Sequence, residues 1–201
     1  MPKLTENMGV ISRKRGRPRS EKARKAVIQS TLELLKLYGF NDLSIESVAA
    51  RAGVGKATVY RWWPNKAELV IAAFISVVEE QLRFPSSGSF EKAIHEQMRS
   101  WVLVFRSPLG QVIATVIGAG QSEPEIIQAF RKHWVEPRRF EARNLLKQAI
   151  SEGQIHSGLD PDTILDLFYG PLYLRLLVTN APLTSEYVDL VFETVIRGLH
   201  P

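Results

Sequence analysis

The sequence predicts an all-α fold. Three observations carry that reading. Apolar residues recur three and four apart rather than alternating, Ser, Asn and Asp stand where helices need a cap, and Gly or Pro closes each periodic run. No stretch has the period-two pattern of a half-buried strand, and no internal repeat is visible.

Taken in order, the first helix is expected from Ser20, whose hydroxyl can accept from an unpaired backbone N–H, through Val27, Thr31, Leu34 and Tyr38 to Gly39. A second opens at Ser44 and turns Ile45, Val48, Ala49 and Ala52 to one face; Ala49 is small where another helix must cross. Gly53 ends it in a left-handed turn and Val54 packs the corner. A third begins at Gly55 or Lys56. Val59 and Trp62, three apart, are expected to point inward, leaving Lys56, Ala57, Thr58, Tyr60 and Arg61 outside. Pro64 stops it, and Asn65 with Glu68 makes a capping-box-like start to a fourth. On that helix Leu69, Val70, Ala73, Phe74, Val77 and Val78 form an apolar stripe, running to about Arg83 before Pro85 to Gly88 breaks it.

Beyond the break, helices are expected at about 89–106, 109–119, 124–152, 161–179 and 185–199. Ser122 with Glu125 reads as a capping box ahead of Pro124, Asp160 with Pro161 as another start, and Gly153 as a stop. Pro137 is expected to bend or split the long third segment, and Gly170-Pro171 to bend the fourth.

The short helix, glycine turn and second short helix of residues 44–66 make a helix-turn-helix, whose basic and hydroxylic outer face suits a major groove. The alternative, an ordinary pair of packed helices, would need a thicker inward set than Val59 and Trp62 supply. Ahead of this module residues 13–25, RKRGRPRSEKARK, carry eight Lys or Arg against Glu21 alone. Arg15, Gly16, Arg17 and Pro18 resemble the AT-hook peptide, in which Gly removes bulk, Pro holds the chain extended and arginines, here with Arg19, follow a narrow minor groove. Such an arm is expected to order only on DNA; the bland alternative is a solubilising tail. Charge divides accordingly. Up to Lys66 there are 14 Lys+Arg and 5 Asp+Glu, a net of +9, while the remainder has 12 and 16, a net of −4, which together give the +5 of the whole chain. A polyanion should meet the first segment and not the second.

Several chemistries have no support. With no cysteine there is no disulfide, thiolate zinc site or cysteine nucleophile. His95, His133, His156 and His200 lie far apart and lack ligand spacing, so neither a metal nor a cofactor is expected. There is no phosphate-cradling glycine loop, GxSxG elbow or helical carboxylate pair, so no enzymatic activity is expected. The chain has no signal-like start and no window of eighteen apolar residues, so a soluble, cytoplasmic protein is expected.

At this point a resemblance becomes specific. The stretch GRPRSEKARKAVIQSTLELLKLYGFNDLSIESVAARAGVGKATVYRWWPNKAELV is similar, over nearly its full length, to the N-terminal domain of the TetR/AcrR family of bacterial transcriptional regulators. Downstream, YGPLYLRLLVTNAPLT, from Tyr169 to Thr184, resembles a subgroup in which a GPLYYRLL-like helix belongs to a ligand-binding-type C-terminal domain; Leu174 stands where tyrosine is common. The resemblance implies that Thr58 and Tyr60 contact phosphate or base edges, that Lys56 and Ala57 approach the groove, that Lys66 clamps phosphate, and that Ser44 touches the DNA backbone while capping its helix. Gly55 stands where many relatives have serine, so a side-chain cap is missing there. Trp62 and Trp63 replace the commoner Tyr and Phe and read as packing, with Trp63 placed where it could lie against sugar or phosphate.

The implied organisation is a basic arm at 1–19, a helix-turn-helix DNA-binding domain at 20–66, and a helical ligand-binding and dimerisation domain at 67–201. In the last, Met98, Trp101 and Phe105 share a helix face, and Phe130, Trp134, Phe168, Tyr169 and Tyr173 add aromatic bulk. Each is core by default, but the resemblance implies a small-molecule pocket among them, with Arg175 and Gln121 as candidate polar handles. The last two helices present wide faces, Ile164, Leu167, Phe168, Leu172 and Leu176 on one, Tyr187, Leu190, Val191, Thr194 and Val195 on the other. The resemblance implies that these form a four-helix interface, giving a homodimer that represses from a near-palindromic double-stranded operator until a small-molecule effector releases it. The rival expectation is a helical ligand-binding or enzyme-like protein whose basic tail binds acidic partners without specificity. A third is an architectural DNA protein led by the RGRP segment.

Overall fold

The computed structural model describes residues 21–85, 88–156 and 158–200, and among them every regular element is helical. The expected Ser20 cap and the arm bearing Arg15, Arg17 and Arg19 lie outside the described residues. The helices are α1 (Glu21–Tyr38), α2 (Ile45–Ala52), α3 (Lys56–Tyr60), α4 (Lys66–Val78), α5 (Phe90–Phe105), α6 (Pro108–Ala119), α7 (Pro124–Phe130), α8 (Glu136–Ser151), α9 (Pro161–Leu174) and α10 (Ser185–Arg197). Two single wide turns of π-helix, Arg131–Val135 and Arg175–Thr179, follow α7 and α9.

Caps set most boundaries. The side chains of Ser44, Asn65, Ser89, Ser107, Asp160 and Thr184 each accept from the backbone N–H three residues on. Gly39, Gly53 and Gly153 have positive φ where α1, α2 and α8 end, a conformation open to glycine without strain. Ser122 does not cap α7: the capping position is Glu123, which makes no side-chain cap bond. Ser122 falls one residue early because its own N–H still bonds Ala119 O in the turn that closes α6.

The 124–152 segment splits as its proline demands. Pro137 has no N–H to return to the residue four back, and the chain widens just ahead of it, so that Glu136 N–H reaches Arg131 O five residues behind. In α9, Gly170 and Pro171 sit inside a continuous helix, and the wide turn comes after them at Arg175–Thr179. Helix α4 ends at Val78 rather than near Arg83, and Val77, expected on the buried stripe, is 43% exposed.

One contiguous core runs from α1 to α10. Helix α4 is its spine: Leu69, Val70, Ile71, Ala73 and Phe74 are fully buried. It packs against α1, α6, α7 and the Arg131–Val135 turn. The helix that follows α3 is therefore also the helix on which the larger helical layer rests.

Candidate DNA interface and ligand cavity

The α2–α3 corner is built from a few buried groups. Ser44 Oγ accepts from Ser47 N–H at 3.1 Å, Gly53 turns the chain at φ 66°, and Val54 N–H bonds Ala49 O at 3.0 Å. Val59 is fully buried and anchors α3. Its inward partner is Trp63, only 5% exposed, four residues on; Trp62, expected inside, is half-buried with its ring 5.7 Å from that of Trp63. Helix α3 is a single short turn followed by a looser one, so the buried stripe runs Val59 to Trp63, and a buried Trp63 has no free face for sugar or phosphate.

Opposite that stripe, Lys56, Ala57, Tyr60 and Arg61 are exposed and Thr58 is half-buried. Gly55 makes no side-chain cap, and Thr58 N–H bonds Gly55 O at 2.8 Å instead. Lys56 Nζ lies 2.7 Å from Glu46 Oε1, and that bond draws the Glu46 pKa down. Both partners are solvated, so DNA phosphate can compete for the lysine at little cost. Lys66 is engaged differently from the phosphate clamp expected of it. Its Nζ donates to Phe40 O at 3.1 Å and Asn41 O at 3.2 Å and stands 4.5 Å above the Phe40 ring, so two of its three N–H donors close the turn after α1. Ser44 is half-buried with its hydroxyl committed to the cap.

A second concavity lies within the larger helical layer, between α5, α8 and α9. It is a cavity of about 70 Å³, walled by Phe84, by Gln97 and Trp101 of α5, by Trp134 and Val135 of the π turn, by Arg138, Arg139 and Ala142 of α8, and by Leu165, Tyr169 and Tyr173 of α9. Of the residues expected in a pocket, Trp101, Trp134, Tyr169 and Tyr173 meet here, whereas Phe105, Phe130, Phe168 and Met98 do not. Phe105 stacks on Trp101 at 4.0 Å and Phe130 on Trp134 at 6.3 Å without lining the cavity. Phe168 packs between Phe90 and Phe192, and Met98 is fully buried. These four are core.

The cavity's polar groups are not the expected ones. Gln121 bonds back to Ile117 O of its own helix, and Arg175 donates to Pro182 O while covering the Tyr187 ring at 3.3 Å. Polar character comes instead from Gln97, Arg138, Arg139 and the two tyrosines. Tyr169 Oη donates to Gln97 Oε1, and burial pushes the pKa of both Tyr169 and Tyr173 up, so both stay neutral phenols. Arg139 is fixed by Asp162 at 2.7 Å and Asp166 at 2.5 Å, and Arg143 shares Asp162 at 2.9 Å; together they staple α8 to α9. Arg138 lies with its guanidinium 3.5 Å over the Trp134 ring, and burial lowers its pKa. One sequence signal could have found it: Arg138 follows Trp134 by four residues and so shares its helix face.

Among the described residues no three His, Asp or Glu side chains group to hold a metal, and no single helix is long and apolar enough to cross a membrane.

Comparison with known proteins settles what this pairing of a helix-turn-helix with a helical layer is. Residues 27–73 match the family model of bacterial regulatory proteins of the tetR family, and residues 84–195 match that of the tetracyclin repressor-like C-terminal domain. The chain belongs to the TetR family. The HTH-type transcriptional regulator YdeS of Bacillus subtilis is 37% identical over 186 residues, which cover 92% of this chain and 94% of that one. The crystal structure of the TetR family transcription regulator SCO0332 superposes with a TM-score of 0.77 at 31% identity, covering 90% of this chain and 100% of that one. The transcriptional regulator FadR from Bacillus subtilis, solved in complex with stearoyl-CoA, shares the fold at 20% identity, with a TM-score of 0.64 and coverage of 88% and 100%. As a TetR-family protein the chain is a DNA-binding transcriptional regulator, its helix-turn-helix at α2–α3 and its larger helical domain beyond.

Proposed function

We propose that this TetR-family regulator is a cytoplasmic homodimeric repressor, which leaves a near-palindromic operator when a small molecule enters the cavity between α5, α8 and α9. The observation that carries the reading is the position of Trp134, which walls the cavity on one side and meets Phe74 of α4 on the other at 4.8 Å between ring centroids. A ligand larger than the 70 Å³ on offer must displace this wall. Displacement of Trp134 moves α4, and α4 begins six residues after the end of α3. In a close-packed interior such shifts are passed on rather than absorbed.

At the DNA end, the exposed face of α3 supplies Lys56, Ala57 and Tyr60, with Arg61 exposed at its C-terminal cap and Thr58 half-buried. The arm with Arg15, Arg17 and Arg19 would follow the adjacent minor groove. Lys66 serves first as a structural bond, with its remaining N–H donor turned to phosphate, while Ser44, whose hydroxyl accepts from Ser47 N–H and donates to Ser47 Oγ, acts by holding the start of α2. The dimer reading rests on exposed apolar side chains on consecutive elements: Leu167 and Leu174 of α9, Val178 of the following wide turn, and Leu190 of α10. The core takes Ile164, Phe168, Leu172, Val188 and Val191 from the same helices, so each apolar face is divided between core and surface. A two-fold partner would cover the outer half and set two α3 helices at the spacing of successive major grooves.

A ligand preferring the released conformation a hundredfold contributes about 2.7 kcal/mol per site, enough to empty an operator. Fluorescence anisotropy on operator DNA with compounds that quench Trp101 and Trp134 tests the link. Compounds that bind should raise the concentration of protein needed for half-occupancy; binding without any effect on DNA affinity contradicts the proposal.

A further inference from the structure

Resting on that ligand-release reading, we propose that the cavity selects a compact organic monocarboxylate, its carboxylate paired with Arg138 and its apolar body laid against Trp101, Trp134 and Phe84. The cavity wall holds an unbalanced charge. Arg138 Nε is buried and donates to nothing, and among the described residues no carboxylate lies close enough to pair with the guanidinium. Glu141 and Glu79 act on its charge from a distance without bonding it. Its neighbour Arg139 shows the contrast, held by two aspartates on α9. A cation drawn out of water without an anion is costly, and an arriving anion recovers that cost.

Geometry narrows the anion. Trp134 covers one face of the Arg138 guanidinium at 3.5 Å, which leaves the edges, the part that grips a carboxylate through two parallel N–H bonds. Gln97 is 3% exposed, and because Tyr169 Oη occupies its Oε1, what it still offers is its Nε2 amide, a donor. No Asp or Glu lines the wall to repel a negative charge. A single cation without a partner matches a monoanion; a phosphate monoester, with close to two charges, would bring one in excess. The rest of the wall is aromatic and aliphatic, which suits an apolar body. Size sets the last limit: at ~10–15 Å³ per water the cavity of about 70 Å³ holds a few waters, so a compact acid fits with a modest shift of Trp134 and a long chain does not.

Isothermal titration calorimetry and quenching of tryptophan emission on the full chain decide it, with phenylacetate and hexanoate set against phenylacetamide, hexanamide and phenyl phosphate. The expected result is that at least one acid binds tenfold or more tightly than its amide and than phenyl phosphate. Arg138→Met should abolish the preference, and Arg138→Lys should keep part of it. Should Arg138→Met fail to fold, the acid-to-amide ratio on the natural sequence and the Arg138→Lys variant still decide. Acids and amides binding equally would overturn the charge reading while leaving the ligand cavity standing. Tighter binding of phenyl phosphate would overturn the monocarboxylate. No binding by any of the five would overturn the proposal, while the ligand-release reading is tested separately by the anisotropy screen.

Discussion

Phe74 and Trp134 face each other with ring centroids 4.8 Å apart and planes tilted by 56°, one on the helix that leaves the DNA-binding module, the other in the cavity wall. Phe105 closes the cluster, 5.8 Å from Phe74 and 6.1 Å from Trp134. The pair is core, and it puts α4 in direct contact with the cavity wall. Phe74→Ala leaves a hole in a fully buried aromatic cluster and should cost about 3–5 kcal/mol of stability, read by urea denaturation. A cost below about 1 kcal/mol would show that α4 and the π turn are not tightly packed there.

The basic arm should act through phosphate and minor-groove charge. Deleting residues 1–19 should weaken operator binding, and the plot of log affinity against log salt should flatten by about 0.9 for each phosphate that the arm no longer neutralises. Anisotropy at several salt concentrations measures it. An unchanged slope would leave the arm without a part in binding.

Asp189 of α10 is tied to α5 by Arg99 at 2.5 Å and by His95 at 2.7 Å. The Arg99 hydrogen bond first, with His95 adding to it against some desolvation, holds its carboxyl at about 2, below the ordinary 3.8. A depressed folded-state value contributes stability above the unfolded pKa and loses it as pH falls through the folded one. The contribution should therefore be whole above about pH 4 and vanish towards about pH 2. Asp189→Asn should cost about 1 kcal/mol or less at neutral pH, because the group is partly solvated, and should flatten the acid limb of the stability curve. Thermal melts across that acid range and up to neutrality test the sign.

Leu190 is 63% exposed on α10 and Val178 74% exposed after α9, large apolar side chains that water disfavours. Leu190→Glu should give a monomer by sedimentation and weaken operator binding, with helical content unchanged. A dimer that survives the charge would place the interface elsewhere.

Local chemistry makes most of the fold legible: Ser44, Asn65 and Asp160 cap where their hydroxyl, amide or carboxylate is needed, and Gly39, Gly53 and Gly153 end helices. Expectation and structure part where a choice depends on packing partners. Trp62 and Trp63 are adjacent, and whether the inward turn takes three or four residues from Val59 is decided by the loosening of α3 after Tyr60, which spacing cannot reveal. Phe105, Phe130, Phe168 and Met98 have the same apolar character as Trp101 and Trp134, and only the arrangement of α5, α8 and α9 separates core from wall. Arg138 is one of four arginines close in sequence; Arg139 and Arg143 have aspartate partners on α9 and Arg131 pairs with Glu136, and that Arg138 alone of the four has no carboxylate partner is visible only in three dimensions.

Above all, α3 is held to meet DNA with its exposed face. Tyr60→Ala and Arg61→Ala, measured by anisotropy on DNA selected by the natural protein from a random pool, test it most directly. Each should weaken binding by about 1–3 kcal/mol with the melting temperature held. Operator affinity unchanged by both substitutions would contradict it.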